Sequence, residues 1–172
     1  PLSIPLIKEV QRSLTSGTYD EKRYITNDER PGEFKKHDYV TGVHEVGSPA
    51  ESVEKDMEEL IAEVNEYKGT EILKVATYLH ARFEYIHPFA DGNGRVGRTI
   101  TNYYLMINNH PPIIVNNEDR VLYFECLQKY DETEELNSLY EFFKYATEKT
   151  WEKALANVNG VKEERKSLSD YL

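Results

Sequence analysis

Residues 87–98 read HPFADGNGRVGR, and they lie between two stretches of helical apolar period. Upstream, Ile72, Leu73, Ala76, Leu79, Phe83 and Ile86 recur at helix spacing, with Thr70 placed to cap the start. Downstream, the stretch 94–108 is a second helix, closed by Asn108, Asn109 and the pair Pro111-Pro112. Pro88 ends the first helix at about Ile86. The chain is therefore held to a helix–loop–helix unit, and the loop concentrates a His, an Asp and an Asn ahead of two arginines.

The rest of the chain adds more helices. Ile4, Ile7, Val10 and Leu14 form one stripe, and Val53, Met57, Leu60, Ile61 and Val64 another, with Ser52 at its N-cap after Pro49. Helices over 119–129 and 136–157 complete the set, the last striped by Leu139, Phe142, Phe143, Ala146 and Leu155. Residues 15–32 are polar and without period, and read as a loop. Residues 31–48 combine glycines with β-formers around Thr41-Gly42, which reads as a short β-hairpin or flap. The expected fold is mostly α with that one hairpin.

Composition narrows the chemistry. The 172 residues are 39% apolar and 30% charged, as in an ordinary globular domain with a real core. Net charge is −10, which argues against a general grip on nucleic acid and requires any phosphate binding to be local. No apolar run is long enough to span a bilayer and no signal-peptide pattern opens the chain. The single cysteine, Cys126, excludes an internal disulfide framework and fits the cytoplasm; it reads as a small buried hydrophobe. Because the chain opens on Pro1, we expect a fragment or a processed protein.

The local chemistry of 87–98 points to phosphate. Gly92 and Gly94 permit tight or left-handed turns and let backbone N–H groups approach a ligand. A helix that starts at Gly94-Arg95 offers unpaired N–H donors and a partial positive charge. Arg95 and Arg98 share one face of its first turn and suit polyphosphate oxygens. Asp91 beside them would repel phosphate without an intervening cation, and one carboxylate plus substrate phosphates is the usual Mg²⁺ arrangement. His87 is then a base for a hydroxyl that attacks phosphorus. The alternatives are a capping His, arginines paired with Glu84 or Asp91, and half of a Zn site. Pro88 and Gly92 break the geometry that a His-x-x-x-Asp zinc pair needs, and no third ligand is near in sequence.

HPFADGNGRVGR resembles the defining motif of Fic domains, His-x-Phe-x-Asp/Glu-Gly-Asn-Gly-Arg-x-x-Arg, at every position: His87, Phe89, Asp91, Gly92, Asn93, Gly94, Arg95 and Arg98. PGEFK at 31–35 is similar to the family's flap entry, with Lys35 where Arg is usual. IKEVQRSL at 7–14, HPPIIV at 110–115 and VLYFECL at 121–127 resemble further family segments, so the likeness covers roughly residues 4–158.

The resemblance implies a compact Fic-type helical bundle over 1–158, a flap near 33–46, and a polar tail or linker over 159–172. It implies a protein adenylyltransferase that moves AMP from ATP to a Ser, Thr or Tyr hydroxyl. In that scheme His87 is the base, Asp91 holds Mg²⁺, and Gly92, Asn93 and Gly94 cradle the phosphates. Asn93 lies near the α-phosphate, and Arg95 and Arg98 bind the outer phosphates. Tyr123, Phe124 and Leu127 wall the adenine, and a target protein lies along a flap that includes Gly32, Phe34, Lys35 and Val40.

The family's inhibitory element, Ser/Thr-x-x-x-Glu-Gly/Asn, would set its Glu against Arg98. No Glu-Gly or Glu-Asn pair occurs, and the one Ser/Thr-x-x-x-Glu match is Thr41…Glu45, inside the flap. Three explanations stand: a missing upstream segment, a separate antitoxin, or escape from this control. Two other functions stay open, a Fic-fold transferase with another phosphate-containing donor and a nucleotide-sensing module with little turnover.

Overall fold

The computed structural model describes residues 1–39 and 47–159. The described residues form seven α-helices: α1 (Ile4–Thr15), α2 (Glu21–Asn27), α3 (Val53–Glu66), α4 (Ile72–Ile86), α5 (Asn93–Ile107), α6 (Arg120–Thr133) and α7 (Asn137–Asn159), with a 3₁₀ turn at Asn117–Asp119 ahead of α6. The mostly helical expectation holds. Residues 33–39 carry no strand, and 40–46, including Val40 and the expected turn at Thr41-Gly42, lie outside the described residues.

Helix α4 is the axis of the bundle and packs on α3, α5, α6 and α7. It buries Ala76, Leu79, Ala81, Phe83 and Ile86, together with the polar Thr77 and His80. A helix apolar on several sides belongs in the centre of a domain. Helix α5 crosses α4 closely at Gly97. A Cβ there would stand 3.1 Å from Phe83 Cδ1 and would collide with Glu84 Oε1. Helix α1 lies on α5 through Ile7, Gln11 and Thr15, all buried and spaced four apart.

The expected loop over 15–32 contains α2. Its Asp20 cap accepts from the Lys22 N–H at 2.8 Å, and Asp28 closes it in the left-handed conformation at φ 51°. It buries no apolar stripe, and Ile25 is 78% exposed, so periodicity could not reveal it. What holds this region is polar. The buried Glu29 accepts from the Lys36 N–H at 2.9 Å and from the Tyr39 hydroxyl.

The expected caps also shift. Ser52 is the N-cap of α3 but makes no side-chain cap bond. The cap of α4 is Glu71 rather than Thr70, and its N–H donates to the Tyr67 hydroxyl at 3.0 Å. Helix α5 opens one residue before the expected Gly94.

Candidate active site at the start of α5

The loop between α4 and α5 is pinned from below by an aromatic side chain. Phe89 is fully buried, with its ring centroid 5.4 Å from Phe34 and 6.4 Å from Phe83. Burying a ring of this size contributes roughly 1.5–3 kcal/mol. The Asn93 amide closes the loop over it: the Phe89 N–H donates to Oδ1 at 2.9 Å, and Nδ2 donates to the Phe89 carbonyl at 2.7 Å. The Asn93 side chain is thus committed to Phe89, while the residue still lines the groove.

Gly92 sits at φ 85°, where a Cβ would lie 2.7 Å from Thr15 Cγ2, so both conformation and space call for glycine. The first i→i−4 bond of α5 runs from the Val96 N–H to the Gly92 carbonyl at 2.9 Å. The N–H groups of residues 93–95 precede it, which makes them the helix's orphan donors. Gly94 is helical, and a Cβ on it would stand 3.2 Å from Arg98 Nη1. The second glycine therefore makes room for an arginine as well as for a ligand.

His87 is the C-cap of α4, in the left-handed conformation (φ 51°, ψ 60°), and its N–H donates to the Phe83 carbonyl at 3.0 Å. The capping reading of this residue thus holds, and the same residue lines the cavity described below. The two ends of the flap grip its neighbours: the Lys35 N–H donates to the Pro88 carbonyl at 2.9 Å, and the Ser48 N–H to the Ile86 carbonyl at 3.1 Å.

Of the flap residues, Gly32 turns at φ 83° and gives its N–H to Gln11 Oε1 at 2.5 Å. Phe34 packs on the core under the Lys8 ammonium, and Lys35 is 3% exposed. Burial pushes the Lys35 amine below its ordinary range, against the pull of Asp38 and Glu29. Of the side chains expected to bind the target, Lys35 is therefore buried and Phe34 half-buried, while Glu33, Lys36, His37 and Asp38 around them are exposed.

Asp91 and Arg95 meet at 3.3 Å. Arg95 also donates to the Leu14 carbonyl at 2.8 Å and to Thr18 Oγ1 at 3.2 Å, so α1 sets its direction. Gln11, which the sequence pattern did not single out, donates to the Asp91 carbonyl at 3.0 Å while it holds Gly32. A buried Gln within an apolar helical stripe was the available signal. Asp91, His87, Gly92, Gly94 and Arg98 all line one cavity of about 620 Å³. Asn116, Asn117 and Arg120 close its other side, and sequence reasoning had missed all three.

Tyr123 and Phe124 line this cavity. Phe124 is half exposed, with the Arg120 guanidinium 5.4 Å over its ring. Leu127 does not line it. That side chain faces the core on the buried side of α6.

Behind Arg98 lies a buried polar network. Thr101 Oγ1 donates to the Gly97 carbonyl at 2.7 Å, so it accepts from His80 Nδ1 at 3.1 Å. His80 Nε2 then accepts from the Tyr123 hydroxyl at 2.7 Å. Burial drives His80 down to about 3, so it stays neutral. Burial also raises the Tyr123 phenol, with the Glu84 charge adding to it. Burial raises the Glu84 carboxyl to about 7, although Arg98 pulls the other way.

Glu84 thus carries a proton in the folded protein that it would lose above about 4.5 in the unfolded chain. Its contribution to stability is present at low pH and is lost as pH rises toward 7. Glu84→Gln should accordingly be more stable than the wild type at pH 8, on the order of 1–2 kcal/mol, because the Gln amide shares part of the burial cost. The gain should vanish at pH 4.5. Urea unfolding at both pH values checks it, and equal midpoint differences would contradict the assignment.

Among the described residues no group of three or more His, Cys, Asp or Glu is placed to hold a metal. A lone carboxylate facing a phosphate-sized space suits Mg²⁺, which takes one or two carboxylates and completes its shell with phosphate and water oxygens. Asp91 fits that donor set. No helix among the described residues is long and apolar enough to cross a membrane.

A family model described as Fic/DOC family matches residues 1–105. The protein adenylyltransferase Fic of Drosophila persimilis is 31% identical over 125 residues, covering 69% of this chain and 23% of that protein. A protein of the same name from Nematostella vectensis is 34% identical over 109 residues, covering 60% of this chain and 25% of its own length. The chain thus spans about a quarter of the length of these curated relatives. Among solved structures, a Fic domain containing signaling protein from Bacteroides thetaiotaomicron aligns with a TM-score of 0.79 at 22% identity, over 97% of this chain and 67% of that one. Fic-1 from C. elegans aligns at 0.74 and 23%, over 91% and 44%. At such identities these two establish the fold alone.

Proposed function

Because this chain belongs to the Fic/DOC family, we propose that it is a protein adenylyltransferase that moves AMP from ATP to a Ser, Thr or Tyr hydroxyl of a target protein. The observation that carries the proposal is the shared cavity, where His87, Asp91, the opening turn of α5 and Arg98 face the same space. The names of the relatives support the same reading.

In the reaction, the target oxygen bonds to the α-phosphorus as the bond from that phosphorus to the β-bridging oxygen breaks. His87 takes the hydroxyl proton, and pyrophosphate leaves. The first N–H groups of α5 and the two arginines bind the phosphate oxygens and stabilise the charge that moves onto the leaving group. Mg²⁺ at Asp91 would neutralise part of the phosphate charge. The half-exposed Phe124 ring, with Arg120 beside it, offers a stacking face for the base. The target segment lies along the flap, anchored at Lys35 and Ser48.

The test is intact-mass spectrometry of the protein and of a lysate after incubation with ATP and MgCl₂. The expected result is an AMP-sized increase, with label from α-labelled but not γ-labelled ATP. Label from the γ position instead would identify a kinase-like transfer. ATP binding with no label on any protein would leave a nucleotide sensor. Arg98→Ala should weaken ATP binding about 10- to 100-fold, the worth of a charge-assisted hydrogen bond. Calorimetric titration measures it, and unchanged affinity would remove Arg98 from the site.

A further inference from the structure

Glu84 is a carboxyl on the floor of the cavity that no part of the proposed reaction uses. Its Oε1 is buried and without a hydrogen-bond partner, in the gap that Gly97 leaves between α4 and α5. Arg98, one turn past the phosphate-binding end of α5, lines the same cavity. No ion pair within 4.0 Å joins the two.

The other groups facing Glu84 cannot compensate its charge. His80 Nε2, on the same helix, is 3.9 Å away and neutral, with its lone pair committed to the Tyr123 hydroxyl. From α6 come the neutral Tyr123 phenol and Asp131, whose charge opposes that of Glu84. From α7, Phe143 packs against His80 with ring centroids 5.4 Å apart. Arg98 is therefore the cation that bears on Glu84, and a phosphate seated on Arg98 would add negative charge within the same cavity.

We propose that Glu84 is a positioning residue for Arg98 whose proton is linked to ligand binding: polyphosphate engages Arg98 fully only when Glu84 is protonated, so binding draws a proton onto Glu84. A neutral Glu84 leaves Arg98 with its whole charge for the ligand, whereas an ionised one shares it and repels the phosphates. Burial already places this carboxyl at about 7 in the ligand-free protein, so its protonation changes over the ordinary working range. The inference rests on the reading of the cavity as an ATP site.

The experiment measures the affinity of wild type, Glu84→Gln and Arg98→Ala for ATP with MgCl₂ between pH 6.5 and 9. Wild-type affinity is expected to fall about 50-fold from pH 7 to pH 9, the slope approaching tenfold per pH unit as the linkage nears one proton. Glu84→Gln should lack that slope and bind more tightly than the wild type at pH 9. The titration of the nucleotide's own phosphate is common to both proteins and cancels in the comparison.

Equal slopes in wild type and Glu84→Gln, with binding still dependent on Arg98, would overturn the role of Glu84 alone. Failure of the wild type to bind ATP at any pH would overturn the ATP reading with it. Should Glu84→Gln not fold, binding heats of the wild type at pH 8 in two buffers of different ionisation enthalpy still decide. Net proton uptake supports the linkage, and none or net release overturns it.

Discussion

His87→Ala is expected to bind ATP within about twofold of the wild type and to transfer AMP roughly 10²–10⁴-fold more slowly, the usual worth of a positioned general base. The separation of the two effects follows from where the residue sits. The backbone of His87 is held by its own N–H on the Phe83 carbonyl, while the flap grips the carbonyls of Ile86 and Pro88 on either side. The Cβ, which alanine retains, lies 3.0 Å from where a Cβ on Gly47 would stand, as does the Ile86 carbonyl oxygen. The parts proposed to bind phosphate, meanwhile, lie on α5 and are positioned from α1 and α6. Removing the imidazole thus removes a base without moving the anion site. Transfer of α-labelled AMP by the variant at the wild-type rate would show that another group takes the proton.

The left-handed backbone at 87 sets a further condition. A non-glycine residue with φ near 51° carries a small conformational cost that the surrounding bonds must hold in place. Asparagine tolerates this region well, so His87→Asn would test chemistry at little conformational cost. Its failure alongside His87→Ala would assign the loss to the missing base rather than to a shifted loop.

How much of this was readable beforehand depended on the kind of signal. Helices α3, α4 and α7 were legible because each buries an apolar stripe, as at Val53, Met57, Leu60 and Val64. The candidate phosphate loop stood out because its glycines, carboxylate and arginines are adjacent in sequence. Helix α2 was hidden because a cap and a buried carboxylate hold it, and periodicity does not register either one. The three residues expected to wall the base divide. Positions 123 and 124 face the cavity while 127 turns to the core, and only the rotational setting of α6 against α7 decides which do.

The supports of the site were the least visible. Gln11 is 80 residues from the carbonyl it holds, and Tyr123 is 43 from His80. Neither pairing leaves a local pattern. Glu84 was visible as an ion-pair partner for Arg98, yet the structure leaves Oε1 unpartnered, because Gly97 lets the carboxylate sink between two helices.

Asn93→Ala should destabilise the protein by about 2–4 kcal/mol, since it leaves both the N–H and the carbonyl of Phe89 buried and unpaired. For a chain of this size that lowers the melting temperature by roughly 5–15 °C. The motif thus spends its one asparagine side chain on its own loop: the amide is 3% exposed, and both of its ends are committed to Phe89. Asn93→Asp separates the two halves of the interaction. It can still accept from the Phe89 N–H, but it sets a carboxylate oxygen against the Phe89 carbonyl at the 2.7 Å contact. Asp should therefore be no better than Ala, and worse as pH rises and the carboxylate ionises. If the amide instead served mainly to touch the ligand, both variants would melt with the wild type and lose only ATP affinity. A lowered melting temperature without ATP, with the affinity loss following it, would show that the phosphate cradle exists because Asn93 first closes the loop beneath it.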